Sequence, residues 1–408
     1  MINKDLTNFT AMQLSTLLQK FNEPETLKMA KLSRQMRAEG KDITDLSLGE
    51  PDFDTPDHIK DAAKKAIDDN FSHYTPVAGF LDLRQAVCHK FKRDNGLDYR
   101  PEQVMVSTGA KQCIANTVLS IVDQGDEVII PTPYWVTYSE IVRLAGGKVR
   151  LVKTSMENGF KITAQELENA ITPATRLFMF SSPCNPTGAV YTKDELEALK
   201  NVLMNHPHVM IMSDEIYEYI NFTGTHTSIA SFPELKERVV VINGLSKGFA
   251  MTGWRIGFMA GPEELIRACD KIQGQFTSGT NAVAQRAALA ALTGDLSSVN
   301  LMLSEFEKRK DRVMELIEGI PDMHCAPPPG AFYVFPNISG YFGRKTPKGE
   351  LIADSDSLCM YLLNEAHVTV VTGSAFGEPD CIRISFANSL ANIEKGFERI
   401  RKALLQLN

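Results

Sequence analysis

Short runs of β-branched and apolar residues recur through the middle of the chain, at 104–107, 127–130, 176–181, 209–213, 238–242 and 255–260. Between them lie stretches with helical periodicity, such as 111–122 and 193–204. This alternation is the signature of a parallel sheet with crossover helices. From about Gly294 the pattern changes. A long charged helix is expected at 297–317, then the turn Pro327-Pro328-Pro329-Gly330, short strands at 332–335, 369–371 and 382–386, and a closing helix at 392–405. A chain of 408 residues exceeds what one core supports, roughly 250–300 residues, so two domains are expected. The sequence thus reads as an α/β fold. A large domain with a mostly parallel sheet spans 50–295, and a smaller α/β domain is assembled discontinuously from 1–49 and 296–408.

The net charge of -7 argues against nucleic acid or an anionic membrane as the main partner. The basic run Lys308-Arg309-Lys310 has Glu305 and Glu307 close by and reads as a solvated helix face. Eight histidines are dispersed, with His206 and His208 in an expected helix-to-strand turn at the surface, so the pattern gives metal chemistry no support. Seven cysteines without a Cys-x-x-Cys pair do not suggest a disulfide framework. The first residues lack the apolar core of a signal peptide, and no stretch approaches about 18 apolar residues. A cytoplasmic protein is the expectation.

In doubly wound sheets, ligands bind beyond the carboxyl ends of the strands, where loops converge on a crevice. The unusual polar residues of this sequence fall in those loops. After the run ending at Ser107 stand Thr108-Gly109-Ala110-Lys111-Gln112, small residues that let backbone N–H groups face an anion at a helix start. An ordinary helix cap with a glycine turn reads equally well, and there is no Walker A sequence and no Gly-x-Gly-x-x-Gly. Trp135, one of two tryptophans, either stacks on a flat ring or packs between helix and sheet. Asn185 lies between Pro183 and Pro186, in a stiff loop that is either a plain turn or a holder for one amide; X-Pro bonds there permit the cis form. Asp214 ends the run 209–213. A buried carboxylate needs a partner, and a protonated pyridine nitrogen would suit it; N-capping is the alternative. Tyr217, three residues on, shares its side if the segment turns helically.

The dipeptide Ser246-Lys247 follows the run 238–242, and Arg255 comes eight positions after the lysine. A lysine in a crowded, partly desolvated pocket loses its proton and forms a Schiff base with an aldehyde. The five loops together offer an anion cradle, an aromatic stacker, a fixed amide, a buried aspartate with a tyrosine, and a lysine backed by an arginine. These are the parts that a pyridoxal 5'-phosphate site needs.

Four segments resemble the fold-type I, pyridoxal phosphate-dependent aminotransferases: Leu48-Gly49-Glu50-Pro51-Asp52-Phe53, Ser182-Pro183-Cys184-Asn185-Pro186-Thr187-Gly188, Asp214-Glu215-Ile216-Tyr217 and Met251-Thr252-Gly253-Trp254-Arg255-Ile256-Gly257. Within that family the sequence is similar to bacterial aspartate aminotransferases of the thermophile-type subgroup, from about residue 15 to the C-terminus. The resemblance implies that Lys247, with Ser246 beside it, holds the cofactor and moves a proton at the substrate Cα. Asp214 would keep the pyridine nitrogen protonated, and Asn185 and Tyr217 would bond the 3-oxygen. The phosphate would be held by the backbone of Ala110 and Lys111, by Arg255, and by Tyr74 reaching from a second subunit, which makes a homodimer with shared sites.

By the same resemblance Arg383 grips the substrate α-carboxylate, with Gly49, Asn185 and Trp135 alongside, and Lys111 meets the distal carboxylate of an acidic amino acid. The implied reaction is ping-pong transfer of an amino group from an L-amino acid, aspartate favoured, to a 2-oxo acid such as 2-oxoglutarate. Residues 15 to 50 are expected to fold over the ligand. Where many relatives carry Lys-Pro-Ser-Ala-Thr, this chain has Asn22-Glu23-Pro24-Glu25-Thr26, whose two added acidic residues would repel a dicarboxylate and so count against strict aspartate specificity, and against prephenate as well. A β-lyase on the same fold and a regulatory protein that keeps the cofactor are the alternatives. A nicotinamide-linked oxidoreductase lacks its glycine fingerprint. Cys184 either lies near the cofactor or is a small packed residue.

Overall fold

The computed structural model describes residues 12, 14–16 and 25–408, with side chains from 27 onward in the last stretch. Its strands are β1 (Thr44–Asp45), β2 (Val104–Ser107), β3 (Glu127–Thr132), β4 (Lys148–Lys153), β5 (Thr175–Ser181), β6 (Met210–Asp214), β7 (Val239–Gly244), β8 (Gly257–Ala260), β9 (Tyr333–Val334), β10 (Val368–Thr369), β11 (Val371–Thr372) and β12 (Ile382–Ser385). Seven of these form the central sheet, in the order β2-β8-β7-β6-β5-β3-β4. All its pairings are parallel except the two made by β8, which runs antiparallel to β2 and β7.

The central strands are apolar on both faces because helices cover both. Side chains alternate as a strand requires: Phe178, Ile211 and Val241 enter one core, and Leu177, Met212 and Val240 enter the other. The first core is closed by the helices Asp57–Asp68, Leu81–Asn95, Lys193–Asn205 and Ala282–Thr293, the second by Ala110–Ile121, Thr137–Ala145 and Glu263–Phe276. A third core packs the helices Ser297–Glu318 and Leu390–Leu404 around β9, β10 and β12, and Leu46 joins it from the N-terminal side.

Several expectations are corrected. β4 was not expected, because Lys148-Val149-Arg150-Leu151-Val152-Lys153 alternates charged and apolar residues, the pattern of a half-exposed edge strand. The strand expected at 255–260 starts only at Gly257, since Arg255 is left-handed with φ 58°. The strand expected at 369–371 is split at Val370: β10 pairs in parallel with β1, while β11 pairs antiparallel with β12. Arg309 is not on a solvated face. It is 6% exposed, pairs with Asp52 at 2.6 Å and lies 4.9 Å over the Phe53 ring; of its neighbours in the basic run Lys308 is exposed, while Lys310 lies 5.2 Å over the Phe222 ring. His206 caps the helix Lys193–Asn205 and His208 is exposed, as expected of a turn. Among the described residues no single helix is long and apolar enough to cross a membrane.

Candidate active site

The carboxyl ends of β2, β3, β5, β6 and β7 reach one edge of the sheet, and β8, running the other way, begins there. A cavity of about 300 Å³ opens at this edge. Lys247, Asp214, Tyr217, Asn185, Trp135, Ala110, Lys111, Ser246, Arg255, Gly49 and Arg383 all line it. The antiparallel direction of β8 explains how Arg255, which precedes a strand, joins residues that follow strands.

Asp214 is 4% exposed. Its Oδ2 accepts from Tyr138 Oη at 2.7 Å and its Oδ1 from the Ile216 N–H at 3.2 Å. Both donors are neutral, so burial dominates and pushes the carboxyl up to about 6. Lys247 Nζ donates to the Gly49 carbonyl and lies 5.7 Å from the centre of the Tyr217 ring. Burial first, then the nearby Arg383 charge, brings the amine down to about 8. An amine so lowered is a usable nucleophile near neutral pH.

At one end of the cavity the first turn of the helix Ala110–Ile121 presents N–H groups that have no acceptor within the helix. Gly257 allows this close approach: a Cβ there would stand 2.2 Å from Ala110 N. Arg255 donates to the Thr252 carbonyl at 2.9 Å and brings its charge beside the helix start. Lys111 Nζ lies 4.8 Å over the Trp135 ring, and burial followed by the Arg255 charge holds its pKa below the usual lysine range.

At the other end Arg383 is 2% exposed. Its Nη1 donates to Asn185 Oδ1 at 2.9 Å and its Nη2 to the Ser47 carbonyl at 2.6 Å, while Nε is buried with no partner. The Ser182-Pro183 and Asn185-Pro186 bonds are both cis. Gly49 is confined by Tyr333, whose hydroxyl would lie 2.4 Å from a Cβ.

Tyr74 is the one predicted site residue outside the cavity; it is 97% exposed. Cys184 packs behind the site: its buried thiol points to the Pro133 carbonyl at 3.7 Å, and burial pushes it up. The segment 22–26 lies outside the described side chains. Sequence reasoning missed Tyr138, Tyr333 and Ser47, and also Leu27 and Ala30, which line the mouth from the helix Glu25–Ala38. Tyr333 Oη meets Tyr217 Oη at 2.8 Å. The one available signal for Tyr138 was its position three residues after Trp135, on the same side of a helix start.

The sequence matches the profile of aminotransferase class I and II over residues 41–400. The chain belongs to this aminotransferase family. It is 46% identical to the aspartate/prephenate aminotransferase of Cereibacter sphaeroides, over 95% of this chain and 98% of that protein. It is 45% identical to a bifunctional aspartate aminotransferase and glutamate/aspartate-prephenate aminotransferase of Petunia hybrida, over 90% of this chain and 78% of the relative. The crystal structure of the aspartate aminotransferase from Rhizobium meliloti superimposes with a TM-score of 0.94 at 42% identity, covering 98% of this chain and 100% of that one. The Thermus thermophilus aspartate aminotransferase with maleate gives 0.90 at 38% identity, covering 96% and 100%. The mostly parallel sheet between helix layers is the fold-type I arrangement of these aminotransferases. Aminotransfer, rather than the β-lyase or regulatory alternative, is the function these relatives support.

Proposed function

We propose that this aminotransferase holds pyridoxal 5'-phosphate at Lys247 and passes the amino group of L-aspartate to a 2-oxo acid, 2-oxoglutarate foremost, in two ping-pong half-reactions. The observation that carries the reading is the union, in one cavity, of a neutralisable amine, a buried carboxyl, the start of a helix and a buried guanidinium with an unpaired N–H. When bound, the cofactor supplies a carbonyl that accepts and returns the amino group and a ring that withdraws electrons from the substrate Cα.

The residues fit that group. A protonated ring nitrogen would give Asp214 the cationic partner that its two neutral donors do not supply. Asn185 spends its oxygen on Arg383, which leaves its amide to donate to the 3-oxygen with Tyr217. The N–H groups of Ala110 and Lys111, Ser246 and the Arg255 guanidinium hold the phosphate, and Trp135 covers the ring. Lys247 Nζ carries the proton to and from the substrate Cα.

Arg383 grips the α-carboxylate beside Gly49 in a two-pronged bond that a lysine would not make. Lys111 is the cation for the distal carboxylate. Tyr74 completes the phosphate site of a second copy, in a homodimer, and its exposure supports that role. The third core joins Leu46 to the C-terminal helices and meets the rest of the chain through Ile216, Tyr217 and Ile220; a division into 50–295 and 1–49 with 296–408, the smaller part closing over the ligand, belongs to the same reading. The seven cysteines are free thiols, which suits the cytoplasm.

The test is an absorbance spectrum of the purified protein before and after adding L-aspartate without an oxo acid. Loss of the visible band with growth of a pyridoxamine band supports cofactor and donor together. A visible band indifferent to aspartate moves the donor elsewhere. No band after adding pyridoxal 5'-phosphate refutes the reading of Lys247.

A further inference from the structure

β6 runs out into Ser213-Asp214-Glu215-Ile216-Tyr217-Glu218. Side chains alternate along a strand, and in a tight turn positions three apart return to one side. Asp214 and Tyr217 accordingly line the cavity, while Glu215 and Glu218 do not. Their carboxylates are buried on the opposite side.

Glu215 accepts on Oε1 from Ser213 Oγ at 2.8 Å and Ser228 Oγ at 2.6 Å, and its Oε2 meets His226 Nε2 at 2.9 Å. Burial pushes this carboxyl up, but the His226 charge and these hydrogen bonds outweigh it and hold the pKa below the usual range. Glu218 pairs with Lys90 Nζ from the helix Leu81–Asn95 and accepts from Asn95 Nδ2 at 2.9 Å. The turn itself closes through Glu218 N–H to the Glu215 carbonyl at 3.0 Å.

Ligand atoms of Glu215, Glu218 and His226 lie within 4.8 Å of one another, a spacing that a metal ion would accept. The Lys90 ammonium already supplies the cation there, and the Glu215 oxygens already have three partners, so the cluster is an anchor rather than an ion site. Apolar residues of similar volume would fill such a place at less cost, and buried charges of this kind are better explained by the geometry they fix.

We propose that Glu215 and Glu218 are positioning residues: from the far side of the sheet they clamp the turn that aims Asp214 and Tyr217 into the cavity. Glu215 ties the strand end to the segment 226–228 and Glu218 ties the turn to a helix, so release of either lets both front side chains swing together. The proposal rests on the cofactor reading above.

Glu215→Gln and Glu218→Gln keep the volume and lose the charge. Each variant, loaded with pyridoxal 5'-phosphate, is expected to raise the pH midpoint of the visible band by about 0.5 to 1 unit. Each is also expected to lower kcat roughly tenfold, with KM for the amino acid within about twofold. A lowered melting temperature with midpoint and kcat at wild-type values would mean that the glutamates only hold the fold, and overturns the proposal. Should Glu215→Gln fail to fold, Ser228→Ala, which removes one donor from the same carboxylate, is read by the same midpoint and kcat. A wild-type protein without a visible band would count against the cofactor reading instead, so the two failures are distinct.

Discussion

Burial brings Lys247 down to about 8 and Asp214 up to about 6, and both shifts oppose folding of the cofactor-free chain at neutral pH. For the lysine, the unfolded state binds the extra proton between about 8 and its ordinary value, so the penalty is complete below about 8 and fades as pH rises. For the aspartate, the native state holds the proton longer, so the penalty is complete above about 6 and fades as pH falls toward 3.8. Asp214→Asn should therefore stabilise the cofactor-free protein by about 1–2 kcal/mol at pH 8 and by much less at pH 4.5, measured by thermal melting at both pH values. Equal gains at the two would mean that burial does not raise the Asp214 carboxyl. Loading with pyridoxal 5'-phosphate, followed by stopped-flow absorbance, should speed up with pH and level off above about 8, as Lys247 loses its proton; a rate that is flat from pH 6 to 9 would count against the lowered amine. These charged residues were legible in the sequence because each sits where an apolar run ends. Tyr138 and Tyr333 were not, since a phenol gains its meaning only from partners 76 and 116 positions away.

At the scale of elements, the fit between β8 and the helix Ala110–Ile121 depends on a missing side chain. Gly257→Ala would drive a methyl into the backbone at Ala110 and displace the N–H groups that the proposed function assigns to the phosphate. Retention of pyridoxal 5'-phosphate on dialysis should fall by about tenfold or more, while far-ultraviolet circular dichroism stays that of the parent. Unchanged retention would remove the helix start from the phosphate site. The buried parallel strands were legible because they are apolar on both faces. β4 was missed because an edge strand needs charge on one face, and Arg309 was misread because a basic run looks solvated until Asp52, 257 positions away, is brought against it.

For the molecule as a whole, the exposure of Tyr74 leads to a complementation test. If Tyr74 serves the partner's phosphate, Lys247→Ala and Tyr74→Ala dimers are each deficient, yet a hybrid carries one intact site. Random reassociation of an equal mixture should return about a quarter of wild-type activity, from about half the dimers with one working site in two. Activity that stays at the sum of the separate variants would place Tyr74 outside a shared site. The proposed division near Gly294 rests on a change of pattern in the sequence, whereas the contacts that tie the C-terminal strands to distant residues were not legible there. The bond from Arg383 to the Ser47 carbonyl spans 336 positions. That span sets an order in time during synthesis. A nascent chain that has emerged only through Arg255 still lacks β8, the strand between β2 and β7 against which the start of the helix Ala110–Ile121 packs, and it lacks Arg383 until β12 follows. A chain cut short before Arg383 therefore lacks the guanidinium that the proposed function assigns to the α-carboxylate, and it is expected not to turn over an amino acid.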